Sequence, residues 1–486
     1  MEKLLTQRNT VILVGALTLW RLYLSAALQL HPDEAYYWLW SRNLDISYFD
    51  HPPMVAYFIW LTTLVSQSEL WVRLSGTLVF LAASGLLWRL ALQLFGSVAI
   101  AASSVILLNA YPLTTLGLMV TTPDVPVFLF WSLGVYLFWQ TLQSQKVGLW
   151  YLVGVCFGLA LVSKYTAILM APCFFLYLVL TDERRWLKTV HPYLALLLGF
   201  ICFLPVIYWN SQHDWVSFTF QLRNGLNSET YSLAKVGEYV GGQMLLTNPI
   251  AWVMGMGVAL VGIFRKDKRI LFVVCTAMPV IVFFGVSSLK KAAGANWPAF
   301  AYFSFSILVS YYCFHRVSRL RRVLWSVAVL TSLSLSMAIT LHARFQWLPL
   351  ESFSKGLATV DATNSFYGWK ELVDTLVKQY PDRHEVVTPS HQLSAEVMYY
   401  SQGSLLARTA RITRPSQFNL WRWTHDLDGT QGLYLWSVED YIGADAPSFV
   451  SPAVSLPIAV HRGRYIVRSY FLLPGHPGQT PPFPGN

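Results

Sequence analysis

The sequence predicts a polytopic α-helical membrane protein with a soluble α/β domain in its C-terminal part. Of its 486 residues, 55% are hydrophobic and 12% are charged; an ordinary soluble domain carries about 25% charged residues. Mean hydropathy is +0.44. Apolar runs recur through residues 10–342, most of them near the length that crosses a bilayer, about 20 residues. After about residue 341 the pattern turns polar, with short helix and strand signals alternating.

The first run, 10–29, follows Lys3 and Arg8. It is too long for the apolar stretch of a signal peptide, so it reads as a retained span. The run 53–66 is apolar but short, and reads as a surface or re-entrant helix. Spans follow at 70–95, 97–119, 125–143, 148–163, 165–181, 191–209, 247–264, 270–287, 298–314 and 323–342. The hydropathy rule thus gives about eleven spans. The stretch 148–181 has two readings: two short helices broken at Ser163, Lys164 and Tyr165, or one long kinked helix.

Charge sets the orientation. The net charge of +10 falls in short clusters between apolar runs. That is the positive-inside pattern, and it excludes nucleic acid as the reason for the basic balance. Arg184, Arg185 and Lys188 share one short loop; Arg265, Lys266, Lys268 and Arg269 share a second; Arg316, Arg319, Arg321 and Arg322 share a third. With the N-terminus inside, all three loops are cytoplasmic. The opposite loops are then 31–54, the turn at 121–124, 210–247 and 290–297, and the C-terminal part lies outside. The five cysteines sit in apolar runs without metal-ligand spacing, so neither disulfides nor a zinc site is expected. No paired broken helices recur in corresponding halves, which weighs against an inverted-repeat transporter.

Residues 1–341 therefore read as a transmembrane catalytic domain whose first outer loop is 30–69, and 342–473 as an external α/β domain. Within the latter, 368–380 and 392–400 read as helices; 385–387, 432–436 and 459–472 read as strands, the last turning at Arg462 and Gly463. The Pro/Gly-rich tail, 474–486, reads as unstructured.

The stretch 31–54 gathers His31, Asp33, Glu34, Asp45, Asp50 and His51 beside the first span. Ionisable groups next to a membrane are costly and mark functional sites. Residues 34–42 have helical spacing, with Tyr37, Trp38 and Trp40 as interfacial anchors. Asp33 and Glu34 would start that helix, where its dipole favours negative charge; helix capping is an alternative reading of this pair alone. Further polar residues fall on the same predicted side: Arg73 opens the second span, Asp124 follows Thr121, Thr122 and Pro123, Lys164 interrupts an apolar run, and Lys290 and Lys291 precede Asn296. Arg73, Lys290 and Lys291 read equally as snorkelling interfacial residues; Lys164 needs a partner. Acids for a nucleophile and cations for a phosphate point to a reaction at the outer face. His31 and His51 lie too far apart in sequence to signal a metal.

PDE at 32–34, then DHPP at 50–53, resembles the GT-C membrane glycosyltransferases of the protein O-mannosyltransferase superfamily. TTPD at 121–124 and GLALVSKYTAIL at 158–169 resemble its bacterial branch, which includes the 4-amino-4-deoxy-L-arabinose transferases of lipid A (ArnT-like). The resemblance implies a polyprenyl-phosphate-linked sugar donor and inversion at the anomeric carbon. The reaction is placed at the periplasmic face of the inner membrane, and the expected acceptor is a cell-envelope glycolipid such as lipid A or lipopolysaccharide core, although the resemblance itself carries over neither sugar nor acceptor. Asp33 matches the family's catalytic Asp, with Glu34 and Asp124 beside it. Asp50, His51, Arg73, Lys164, Tyr165, Lys290, Lys291 and Asn296 are the substrate-binding candidates. The flanks of the acidic pair, HP before and AYYW after, depart from the arabinose-transferase pattern. A divalent metal is known for part of the superfamily, and no ligand set here commits to one. A protein O-glycosyltransferase and a lipid or glycan transporter are the alternatives; the latter would need polar residues at mid-depth, and these spans are mostly apolar.

Overall fold

A computed structural model of the chain describes residues 4–226, 231–265, 267–316, 318–382, 384–409, 414–421, 433–437, 458–462 and 465–474. Its contacts divide the chain into two units. One comprises 1–25 and 44–338, the other 26–43 and 339–486. Residues 26–43 thus associate with the C-terminal part, although the sequence places them in the first loop of the membrane domain.

In chain order the helices begin with α1 Gln7–Ala27, α2 Pro32–Arg42, α3 Met54–Thr62, α4 Glu69–Phe95, α5 Val98–Ala110, α6 Pro112–Gly117 and α7 Asp124–Ser144. They continue with α8 Gly148–Leu161, α9 Met170–Leu180, α10 His191–Ser211, α11 Val216–Leu226, α12 Leu233–Thr247, α13 Pro249–Arg265, α14 Lys268–Ser287, α15 Tyr302–Phe314 and α16 Arg319–Phe345. All except α2 belong wholly or mainly to the first unit; α1 ends, and the last turns of α16 lie, in the second. Among the described residues, six helices are long and apolar enough to cross a membrane, or up to eight if two sharply bent pairs each count as one span. Three shorter apolar helices accompany them: Val98–Ala110, Gly148–Leu161 and Ala299–Phe314.

Two stretches, 97–119 and 210–247, differ in detail from the sequence expectation, and 148–181 follows one of its two readings. The run 97–119 breaks at Tyr111, whose ψ of 130° leaves the helical region, because the following Pro112 disfavours a helical predecessor. The run 148–181 is two helices: Lys164 is extended, at φ −156° and ψ 132°, and a 3-10 turn, Tyr165–Leu169, leads into α9. The expected loop 210–247 contains α11 and α12. A bend of 110° separates α12 from the α13 span, at Asn248, whose φ is +90°, immediately before Pro249.

Close approach of backbones sets the packing around the site. A Cβ on Gly76 of α4 would strike the Leu118 carbonyl, just before α7. Gly154 and Gly158 of α8 press against Ala195 and Gly199 of α10 in the same way. Small residues at such positions let membrane helices pack backbone to backbone.

The second unit contains α2, α17 Leu350–Phe353, α18 Lys355–Thr359, α19 Trp369–Gln379 and α20 His391–Tyr400. Its strands are β1 Glu385–Thr388, β2 Leu406–Thr409, β3 Leu433–Ser437, β4 Ile458–Arg462 and β5 Tyr465–Pro474. They form one sheet in the order β2-β1-β3-β5-β4. β1 runs parallel to β2 and β3, and β5 antiparallel to β3 and β4. α19 buries Trp369, Leu372, Val373 and Leu376, the spacing of a one-sided amphipathic helix. The expected helices and strands are present, and β2 is an addition. The expected unstructured tail beyond Pro474 lies outside the described residues, as does the turn at Gly463.

A buried polar knot ties this unit. Arg462, 3% exposed, donates to Asp361 at 3.0 Å, to Thr363 and Asn364 at 2.7 Å each, and to the His342 carbonyl at 2.8 Å. Burial alone would raise the Asp361 carboxyl. Hydrogen bonds from Thr363 and the Arg462 charge outweigh it and hold the group below the usual carboxylate range.

Candidate active site

Three of the predicted site residues meet in the first unit, from three separate segments. Asp124 opens α7 directly after Pro123, where the helix dipole favours a carboxylate. Its own N–H is accepted by the Thr122 hydroxyl at 3.3 Å. Lys164 lies in the break after α8, where Ser163 turns its hydroxyl back onto the Leu159 carbonyl at 2.6 Å. Asn296 comes from the turn before α15; there Gly294 sits under the Trp297 indole, so close that a Cβ would be 2.6 Å from Nε1.

Lys164 Nζ donates to Asp124 Oδ1 at 2.6 Å. Asn296 Nδ2 donates to Oδ2 at 3.0 Å, and the Thr122 hydroxyl reaches the same oxygen at 3.4 Å. Asp124 and Lys164 are 6% and 7% exposed. A pair this buried is expensive to desolvate and is held by geometry and added hydrogen bonds. An ammonium has three donors, and Asp124 engages one of them. Lys164 can therefore present the other two to an anionic group while remaining fixed.

The other candidates distribute as follows. Asp50 is buried, and its carbonyl accepts Gln221 Nε2 of α11 at 2.6 Å. Its carboxylate acts electrostatically on the Tyr165 hydroxyl, which sits among Ser47, Asn210 and Ser217. His51 is half-buried beside it in sequence. Arg73 is fully buried and donates to the Ser25 carbonyl of α1 at 3.3 Å. Lys290 places its ammonium 5.7 Å from the Tyr231 ring centre, and its carbonyl accepts Lys235 Nζ at 2.6 Å. Lys291 is exposed. Neither lysine touches the Asp124 cluster by any hydrogen bond or ion pair described.

Asp33 and Glu34 lie in the second unit, at the start of α2. Glu34 is fully buried, and its Oε2 accepts the His31 N–H at 3.0 Å; His31 Nδ1 in turn accepts the Asp33 N–H at 3.3 Å. This is a capping box with histidine as the cap. Asp33 keeps 43% of its side chain exposed, with His31 Nδ1 3.8 Å from Oδ2.

Two features escaped the sequence reading. Arg21, inside the first span, is buried; its guanidinium lies 3.7 Å from the Phe80 ring centre and donates to the Asn109 carbonyl at 3.3 Å. A lone arginine in an apolar run was the available signal. Asp45 accepts Trp209 Nε1 at 2.8 Å, while Tyr57 donates to its carbonyl at 2.9 Å. Asp45 thereby pins the segment that carries Asp50 and His51. Among the described residues, no group of three His, Cys, Asp or Glu side chains is placed to hold a metal ion.

Comparison with known proteins identifies the fold. Residues 50–209 match the family profile described as dolichyl-phosphate-mannose-protein mannosyltransferase. The crystal structure of ArnT from Cupriavidus metallidurans bound to undecaprenyl phosphate superposes over 95% of this chain and 97% of its own, with a TM-score of 0.67 at 15% identity. Its apo form gives the same TM-score at 14% identity. The fold is that of the GT-C membrane glycosyltransferases. In sequence, the lipid A galacturonosyltransferase RgtD of Rhizobium johnstonii is 28% identical over 320 residues, 63% of this chain. The chain matches 65% of the length of that curated relative. The family match, 50–209, takes in Asp50, His51, Arg73, Asp124, Lys164 and Tyr165 on one GT-C framework.

Proposed function

We propose that this chain is an inverting glycosyltransferase. It moves a sugar from a polyprenyl-phosphate donor to lipid A or lipopolysaccharide core at the periplasmic face of the bacterial inner membrane. The observation that carries the reading is the buried Lys164, fixed by Asp124 and Asn296 with donors to spare. In the reaction an acceptor oxygen bonds to the anomeric carbon as the bond from that carbon to the phosphate oxygen breaks. The pair of electrons leaves with the polyprenyl phosphate, and the acceptor proton passes to a carboxylate. Lys164 meets the charge that grows on the leaving phosphate, a term strongest in a dry site. Asp33 is the proposed base; Glu34, tied into the capping box, holds the start of α2 in place. Arg73, Asp50, His51, Tyr165, Lys290 and Lys291 are the proposed substrate-binding residues. The donor and acceptor classes are supported by the undecaprenyl phosphate bound to ArnT and by the lipid A substrate of RgtD.

Mass spectrometry of lipid A, core and envelope proteins from a strain lacking the gene tests this reading. Loss of one sugar residue from lipid A or core, restored by the wild-type gene, is the expected result. An unchanged glycolipid profile with a lost protein glycan would move the acceptor to protein.

A further inference from the structure

At the other ends of the helices, α13, α14, α15 and α16 enclose a groove of about 520 Å³. Met254, Val258 and Ile270 line it with buried apolar surface, and Leu324 adds to it. The same groove is lined by His315, Arg316 and Arg321. His315 stacks on Tyr311 with ring centres 4.4 Å apart. Arg321 lies over the Tyr312 ring at 4.2 Å and donates to the Tyr312 carbonyl at 3.4 Å, which fixes its guanidinium and leaves other donors for a ligand. Among the described residues no carboxylate pairs with Arg316 or Arg321; the nearby Asp267 is taken by Arg269 at 3.0 Å.

We infer that this groove is a binding site for an acidic diacyl phospholipid, distinct from the Lys164 site. Charge complementarity selects the occupant: two guanidiniums with no counter-ion among the described residues stand beside an apolar slot. Basic pockets between membrane helices on the cytoplasmic side select anionic headgroups for this reason. The choice of leaflet rests on the orientation proposed above; the chemistry of the groove does not.

The test is native mass spectrometry of the purified full-length chain titrated with dioleoyl phosphatidylglycerol or dioleoyl phosphatidylcholine. At roughly 1 kcal/mol per arginine, two arginines predict about a ten- to thirty-fold preference for phosphatidylglycerol. The double variant Arg316→Gln/Arg321→Gln loses that preference. Gly257, where an added Cβ meets open space, provides a second variant: Gly257→Leu fills the slot and lowers the occupancy of both lipids with the arginines intact. Inorganic phosphate at the same concentrations displaces neither. Equal affinities in the wild type, an undiminished preference in the double variant, or displacement by inorganic phosphate would each overturn the site. Because the titration is done in detergent, a reversed membrane orientation changes the leaflet assignment and leaves these outcomes as they are.

Discussion

Lys164 Nζ lies 2.6 Å from Asp124 Oδ1, both side chains almost wholly buried, although 40 residues separate them in the chain. Removing one member of such a pair leaves a buried charge alone and costs about 3–5 kcal/mol, whereas replacing both by apolar groups is often neutral. Lys164→Met and Asp124→Leu should each lower the thermal midpoint of the purified protein, and the double variant should recover most of the loss. A double variant as unstable as the sum of the singles would mean that the two side chains act separately.

Asp33→Asn preserves size and the start of α2 while removing the proposed base. General-base catalysis contributes about 10²–10⁴-fold, so turnover on a hydroxyl acceptor should fall by that order while donor binding persists. Glu34→Gln keeps an acceptor for the His31 N–H and should cost less. Near-normal turnover of Asp33→Asn on a hydroxyl acceptor would assign the proton to another group.

His391 predicts a pH dependence. It is 2% exposed, packs edge-on against Tyr36 at 4.6 Å and has Arg414 Nη2 3.1 Å from Nε2. Burial first, and the Arg414 charge second, push its pKa from 6.5 down to about 3. Between those values the unfolded chain binds a proton that the folded chain refuses. Stability from this group is therefore complete above about pH 6.5 and falls on acidification towards pH 3, by up to roughly 1.4 kcal/mol per pH unit. Unfolding of the C-terminal unit followed from pH 7 to 4 should show this slope, and His391→Gln should flatten it.

Orientation is tested by reporter fusion. A periplasm-dependent reporter fused after residue 341 should be active and one placed in the loop 265–269 silent, because the three basic loops share one side. The reverse pattern would put the Lys164 site on the cytoplasmic face.

The membrane fold was legible because hydropathy and loop charge are local properties of the chain, and the separate signals at Asp124, Lys164 and Asn296 were each visible in their own segments. Their convergence was not, since contacts over 40 and 172 residues leave no periodic trace. Lys164 announced only that it needed a partner; the fold supplied Asp124. The break at Lys164 was one of two open readings, and the extended backbone there resolves it. The 97–119 run breaks early because Pro112 keeps Tyr111 out of the helical region, a backbone effect that hydropathy does not register. The strand β2 was missed because it is four residues long and carries Ala407 and Arg408 in place of β-branched residues; Arg408 is buried there against Glu385 at 2.9 Å. The acidic pair at α2 was read as functional with capping as the alternative, and Glu34 closes a capping box while Asp33 keeps an exposed carboxylate.

The affinity of the purified protein for undecaprenyl phosphate, compared between the wild type and the double variant Lys164→Met/Asp124→Leu, tests the central claim most directly. The double variant removes the proposed phosphate cation without stranding a buried charge. A charge-assisted hydrogen bond contributes about 1.5–3 kcal/mol, so affinity should fall by roughly ten- to a hundred-fold while the protein remains folded. Unchanged affinity in a folded double variant would contradict the assignment of Lys164 to the phosphate and, with it, the proposed site.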